Sequence, residues 1–216
     1  MRRSHGFTLI ELLVAIAVMS LLAIMSWRGL DGMARAQAQN RERGDAVLTL
    51  QTALTQWGAD LDATVALSRI RAIDWDGRVL RMTRRSTDGD TPRVHVVAWT
   101  LLTDPATGTR WRRWQSPGFT TQSEWQQAWD RAAAWAQGGS NDAGDAEVDL
   151  LPLAEWHVYY FRNGTWSPAV SAEALGTSTP LPDGVRLVIS IPPGASLSGT
   201  ITRDWVRPSV TVAKSS

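Results

Sequence analysis

The sequence predicts an α+β protein in which one long N-terminal helix is followed by a head built on an antiparallel β-sheet, with a short extra helix. Three observations predict this class. Residues 7–27 are apolar with a single charge, residues 28–62 carry apolar side chains at helical spacing, and alternation with turn dipeptides begins near Ile70. The 216 residues are enough for one domain with a complete core plus an appendage.

Composition excludes several classes of protein. The chain has 22 basic and 21 acidic residues, and this balance removes the usual electrostatic case for nucleic-acid binding, which needs a basic patch or stripe. It has no Cys, which excludes a disulfide framework, a zinc-thiolate site and a cysteine nucleophile. Its 12 Trp must either be buried or face a partner.

The first element is an apolar helix over residues 7–27, which as a helix spans about 31 Å, one hydrocarbon core. A secretory signal peptide fits poorly, because Glu11 interrupts the apolar run and no small-x-small cleavage site follows before Arg28. A plain membrane anchor leaves Glu11 unexplained, since a carboxylate in a bilayer costs about 2.5–3.5 kcal/mol or more and is usually functional.

The helix is predicted to continue to about Asp62 as an amphipathic segment. Gly32, Gly44 and Gly58 weaken this segment locally by about 1 kcal/mol each relative to Ala. Apolar side chains recur there at steps of three and four residues, which indicates one face packed on a core: Val47, Leu50, Leu54, Trp57 and Leu61.

The head is predicted to be one antiparallel meander. Asn163-Gly164 is a hairpin turn signal, and Asp104 to Gly108 is a turn by composition. The predicted strands cover residues 78–85, 93–102, 109–114, 156–162, 165–166, 185–191 and 198–206.

A second helix is predicted between Thr121 and Gln137. Thr121 and Glu124 have the spacing of a capping box, and two glycines supply a stop. Trp125 and Trp129 share one face, which either pins the helix to the sheet, the preferred interpretation, or forms a docking surface. Residues 138–147 are predicted to be a loop and residues 208–216 a frayed tail.

Residues 6–11 read GFTLIE and precede an uninterrupted apolar run, a string that resembles the prepilin signature of type IV pilins and type II secretion pseudopilins. The resemblance implies that a prepilin peptidase cuts between Gly6 and Phe7 and that Phe7 becomes an N-methylated terminus. It also implies that Glu11 is the assembly glutamate. Glu11 lies one helical turn from Phe7, so in a filament it can neutralise the α-amine of a neighbour's Phe7.

Other strings resemble the minor pseudopilin J family of type II secretion: residues 27–31 (WRGLD), 97–101 (VAWTL), 159–166 (YYFRNGTW) and 181–187 (LPDGVRL). The resemblance implies a pilin-like fold and a structural role in the pseudopilus tip, with pseudopilins I and K as partners beside other pseudopilus subunits. It divides the chain into a leader (1–6), a transmembrane and filament-core helix (7–27), its amphipathic continuation (28–62), a periplasmic head (63–207) and a tail (208–216). The inner membrane would hold the helix, and the subunit would assemble into the pseudopilus.

The sequence offers weaker support for other functions. An enzyme is not expected, because His5, His95 and His157 belong to no catalytic motif, and neither a cofactor nor a resident metal is predicted. A calcium site at Asp142, Asp145, Glu147 and Asp149 is less expected than a solvated acidic loop, since the spacing matches no calcium-binding loop. The alternative within the same superfamily is a minor pilin of a type IV pilus.

Overall fold

The structure is a computed structural model that describes residues 8–86, 93–139, 146–171, 180–194 and 196–208. The leader at 1–6, the cleavage and methylation residues Gly6 and Phe7, and the tail beyond Pro208 lie outside the described residues. The chain forms two compact units, residues 1–45 and residues 46–216.

The described part of the first unit is helical. Helix α1 runs from Leu9 to Asp62, and its first 19 residues expose their apolar side chains, with Leu9 at 79% and Trp27 at 75% exposure. This is the one helix in the described parts of the chain that is long and apolar enough to cross a membrane. An apolar surface of this extent is stable only in lipid or against other helices.

The second unit contains the end of α1 and the head. Trp57 and Leu61 are buried, and Leu50 and Leu54 pack partly buried against the same core, so the predicted apolar stripe is confirmed. Ala53 and Asp60 are buried on that face as well. Because Asp60 is charged, the spacing of apolar residues does not explain its burial on this face of α1.

The head contains nine strands and the short helix α2 in the described residues. Their bounds are β1 Ile73–Trp75, β2 Val79–Ser86, β3 Arg93–Asp104, β4 Gly108–Gln115, α2 Gln122–Trp135, β5 Ala146–Pro152, β6 Glu155–Arg162, β7 Thr165–Pro168, β8 Gly184–Ile191 and β9 Gly199–Val206. The predicted α+β class, with a long helix, antiparallel pairing and a short second helix, is confirmed.

The strands form two antiparallel sheets, so the prediction of one meander is wrong. The five-stranded sheet has the order β1-β2-β3-β4-β5 and the four-stranded sheet the order β7-β6-β8-β9. In the second sheet β8 pairs with the edge of β6 opposite to β7. Alternation along a strand shows which face is buried, but it does not determine which strand lies alongside.

The predicted loop over 138–147 is also too long, because β5 begins at Ala146. Glu147 and Asp149 lie in this strand and not in a solvated acidic loop. Their carboxylates accept hydrogen bonds from Arg112 and Arg110 of the neighbouring β4, at 3.0 and 2.7 Å. The strand was missed because its charged side chains are satisfied by another strand, and local alternation does not show this.

Two apolar clusters hold the head together. The first lies among the end of α1 and both sheets, where Trp75 and Trp156 meet edge to face with ring centroids 4.7 Å apart. The second lies between α2 and the five-stranded sheet and contains Trp114, Trp125 and Trp129. Ten of the eleven Trp of the second unit are buried, including all three of α2, so the interpretation of the α2 tryptophans as pins is confirmed.

Local turn and cap signals are confirmed as well. Asn163 and Gly164 both have positive φ, 52° and 79°, as a two-residue hairpin turn requires. Thr121 caps α2 in a reciprocal box with Glu124, whose carboxylate accepts from the backbone N–H groups of Thr120 and Thr121. These hydrogen bonds hold the pKa of Glu124 below its usual value.

Candidate functional site

The assembly glutamate predicted from the sequence lies at the N-terminus of α1. Its Oε2 accepts hydrogen bonds from the backbone N–H of Thr8 at 2.9 Å and from the Thr8 hydroxyl at 2.8 Å. The backbone N–H of Glu11 donates in return to the Thr8 hydroxyl at 3.4 Å. Thr8 and Glu11 therefore form a capping box that starts the helix.

This geometry positions the carboxylate before any partner arrives. Oε2 receives both hydrogen bonds from Thr8, while Oε1 of Glu11 accepts none from the residues that the structure describes. A carboxylate at a helix N-terminus is favoured by the helix dipole, and its remaining lone pairs can accept from an external cation. Thr8 is thus a site residue that the sequence reasoning missed, although the Thr-x-x-Glu spacing is the signal that could have found it.

A second charged centre, also missed from the sequence, lies in the core of the head at Asp60. This carboxylate is fully buried and accepts five hydrogen bonds. Arg113 donates twice, from Nε at 2.8 Å and from Nη2 at 3.0 Å. The other donors, each at 2.9 Å, are Gln56 Nε2, Arg84 Nη1 and Trp99 Nε1.

Asp60 and its four donor residues, called the Asp60 hub below, join the end of α1 to three strands of the five-stranded sheet. Arg84 lies on β2, Trp99 on β3 and Arg113 on β4. The Arg113 side chain is 9% exposed, so both ends of this ion pair have lost most of their water. Such a pair is tolerable only when its hydrogen-bonding groups are satisfied, as they are here. The signal in the sequence was a charged residue between two apolar stripe positions, Trp57 and Leu61.

A second buried pair connects β1, β2 and α2. Arg81 Nη2 donates to Asp74 Oδ2 at 3.0 Å, and the guanidinium lies 4.9 Å from the ring centroid of Trp129. The hydroxyl of Ser171 also donates to Asp74, at 3.1 Å. These contacts are structural, since they connect elements inside the fold.

The remaining candidates from the sequence do not come together. His95 Nδ1 is 3.0 Å from the Ser116 carbonyl, and the exposed His157 is 3.6 Å from Glu155. No group of three or more His, Asp or Glu that could hold a metal occurs in the described ranges. Of the acidic residues weighed for calcium, Glu147 and Asp149 pair with arginines, and Asp142 and Asp145 lie outside the described residues, as does His5.

Comparison with known proteins agrees with this arrangement. Residues 1–27 match the family described as the prokaryotic N-terminal methylation motif. The motif, the apolar helix and the α+β head together support a type IV pilin-like protein.

The chain is similar to the J proteins of two type II secretion systems. It is 24% identical over 203 residues to type II secretion system protein J of Vibrio cholerae serotype O1, covering 86% of this chain and 81% of that relative. It is 33% identical over 64 residues to type II secretion system protein J of Klebsiella pneumoniae, covering 30% of this chain and 32% of that relative. The similarity supports a minor pseudopilin role, and the apolar helix fits a subunit anchored in the inner membrane.

Proposed function

We propose that this protein is a minor pseudopilin of a type II secretion system and a structural part of the pseudopilus tip complex. With pseudopilins I and K it would support the export of folded proteins across the outer membrane. The observation that carries the proposal is the similarity to protein J along 86% of the chain, head included. A shared methylation motif alone would fit any type IV pilin-like subunit.

The proposal includes processing of the N-terminus. A prepilin peptidase removes residues 1–6 on the cytoplasmic side, Phe7 is N-methylated, and the head lies in the periplasm. The match of residues 1–27 to the methylation motif supports these steps. Trypsin cuts after Arg, so the mature protein should yield an N-terminal peptide spanning residues 7–28 that carries one extra methyl group. A peptide that begins at residue 4 would show that the leader is retained.

In the assembled filament Glu11 neutralises the α-amine of a neighbour's Phe7. The capping box supports this step, because Thr8 holds one carboxylate oxygen and leaves the other able to accept from an amine. In the low-dielectric interior of a helix bundle an unpaired charge is strongly disfavoured, so the pairing selects one register between subunits.

The protein acts without chemistry of its own, and its head serves as an assembly surface. The deciding experiment is co-purification of the full chain from detergent-solubilised membranes that also contain pseudopilins I and K. A stable mixed complex supports the tip assignment. A clean monomer with no mixed species refutes it, and capture by type IV pilus subunits instead would favour the alternative of a minor pilin.

A further inference from the structure

Trp27 differs from every other tryptophan of the chain in its surroundings. Ten of the 12 Trp are buried in the second unit and Trp166 is half-buried, whereas Trp27 is 75% exposed at the end of the apolar part of α1. An indole has an apolar body and one polar N–H group. Such a side chain is best accommodated where one end is apolar and the other is wet, as at a membrane–water interface.

The position of Trp27 along the helix matches the thickness of a bilayer. The exposed apolar surface extends from Leu9 to Trp27, 19 residues or about 28 Å of helix, close to one hydrocarbon core. The next residue is Arg28, and one turn further Asp31 and Arg35 form an ion pair at 2.8 Å. Charged side chains therefore begin at the residue that directly follows Trp27, although Leu30 and Met33 beyond it are exposed as well.

We propose that Trp27 and Arg28 bind the phospholipid headgroup layer on the head side of the membrane and thereby set the depth of α1. This inference rests on the membrane anchoring in the proposed function. The occupant is lipid because the apolar surface that ends at Trp27 has the length of a bilayer core. The guanidinium of Arg28 offers paired donors to a lipid phosphate, and the indole of Trp27 lies at the level of the headgroups.

The two residues resist movement in opposite directions. A shift of α1 toward the N-terminal side of the membrane would carry Arg28 into hydrocarbon, where a charged side chain is disfavoured. A shift the other way would pull Trp27 out of the interface. The anchor therefore holds the subunit at one depth until a neighbouring helix replaces the lipid.

Quenching of Trp27 fluorescence measures this depth. The full chain is reconstituted at high lipid excess in vesicles of phosphatidylcholine and phosphatidylglycerol, brominated near the headgroup end, the middle or the tip of the acyl chains. The Trp27 signal is the difference between the unaltered chain and the Trp27→Phe variant. We expect the strongest quenching from the bromines nearest the headgroup.

Arg28→Leu extends the apolar stretch to Leu30, three residues or about 4.5 Å of helix rise, so the quenching profile should move toward deeper bromines. The control is Arg35→Leu, two turns further along α1, which should leave the profile unchanged. Strongest quenching by the deepest bromines, or the same profile in both arginine variants, overturns the proposal. So does weak quenching by every lipid in a chain that floats with the vesicles, since a neighbouring helix would then cover Trp27. A chain that fails to float with the vesicles refutes the membrane anchor itself.

Discussion

Replacement of Asp60 tests the hub of the head most directly. In Asp60→Ala the Arg113 guanidinium, whose side chain is 9% exposed, is left in the core without its carboxylate, and Trp99 Nε1 loses its acceptor. Removing one partner of a buried ion pair costs about 3–5 kcal/mol. Arg84 is 20% exposed and can regain water, so we expect a value near the lower end of that range.

The assay is urea unfolding of the full chain in detergent, followed by the fluorescence of the buried tryptophans. With a slope of about 2 kcal/mol per molar urea, a loss of about 3 kcal/mol lowers the midpoint by about 1.5 M. The control is Asp149→Ala, which breaks a partly exposed ion pair with Arg110. It should cost about 0–1 kcal/mol and shift the midpoint by about 0.5 M at most.

A second variant keeps the reasoning open to refutation if Asp60→Ala does not fold. In Asp60→Ala/Arg113→Leu both charges are gone, so the double variant should be more stable than Asp60→Ala alone. The hub would be unimportant if Asp60→Ala unfolded at the same urea concentration as Asp149→Ala. Arg113→Leu is measured alone as well. If the free energy of unfolding of the double variant falls by the sum of the decreases in Asp60→Ala and Arg113→Leu, the two side chains do not interact.

Three further predictions concern other parts of the chain. Gly184→Ala should destabilise the head by about 1–3 kcal/mol, because the added Cβ would lie 3.0–3.2 Å from three neighbouring atoms. Gly58→Ala in α1 meets open space and should stabilise the protein by up to about 1 kcal/mol. Urea unfolding measures both changes. The hydrogen bond from Arg186 lowers the pKa of Asp204, so this pair contributes stability at neutral pH that is lost as the pH falls through the folded-state pKa of Asp204. The difference in urea midpoint between the unaltered chain and Asp204→Asn should therefore shrink on acidification. A difference that stays constant with pH would contradict this. Glu11→Ala should still insert and be cut but join assemblies poorly; cross-linking of membranes measures assembly, and normal yields would show that the carboxylate is dispensable.

Features of the fold that depend on residues close together in the sequence were predicted, and features that depend on distant residues were not. The capping box of α2, the Asn163-Gly164 turn and the apolar stripe of α1 were all predicted, and each depends on residues within a few positions of one another. The order of strands in two sheets was not predicted, because a strand's alternation does not name its neighbour. β5 was missed for a related reason, since its acidic residues are matched by arginines 35 and 39 positions earlier.

The sequence by itself determined the N-terminal motif, the apolar helix with its single carboxylate, and the α+β class. These features are local in the chain and persist in any packing of the head. Only the tertiary structure showed that Asp60 is the charged hub of the head, because its donors on β2 and β4 lie 24 and 53 positions further along the chain. It also showed that Trp27 is the exposed exception among tryptophans that otherwise fill the core or lie half-buried. Whether a side chain is buried depends on contacts between segments that are distant in the sequence, and the spacing of neighbouring residues does not predict these contacts.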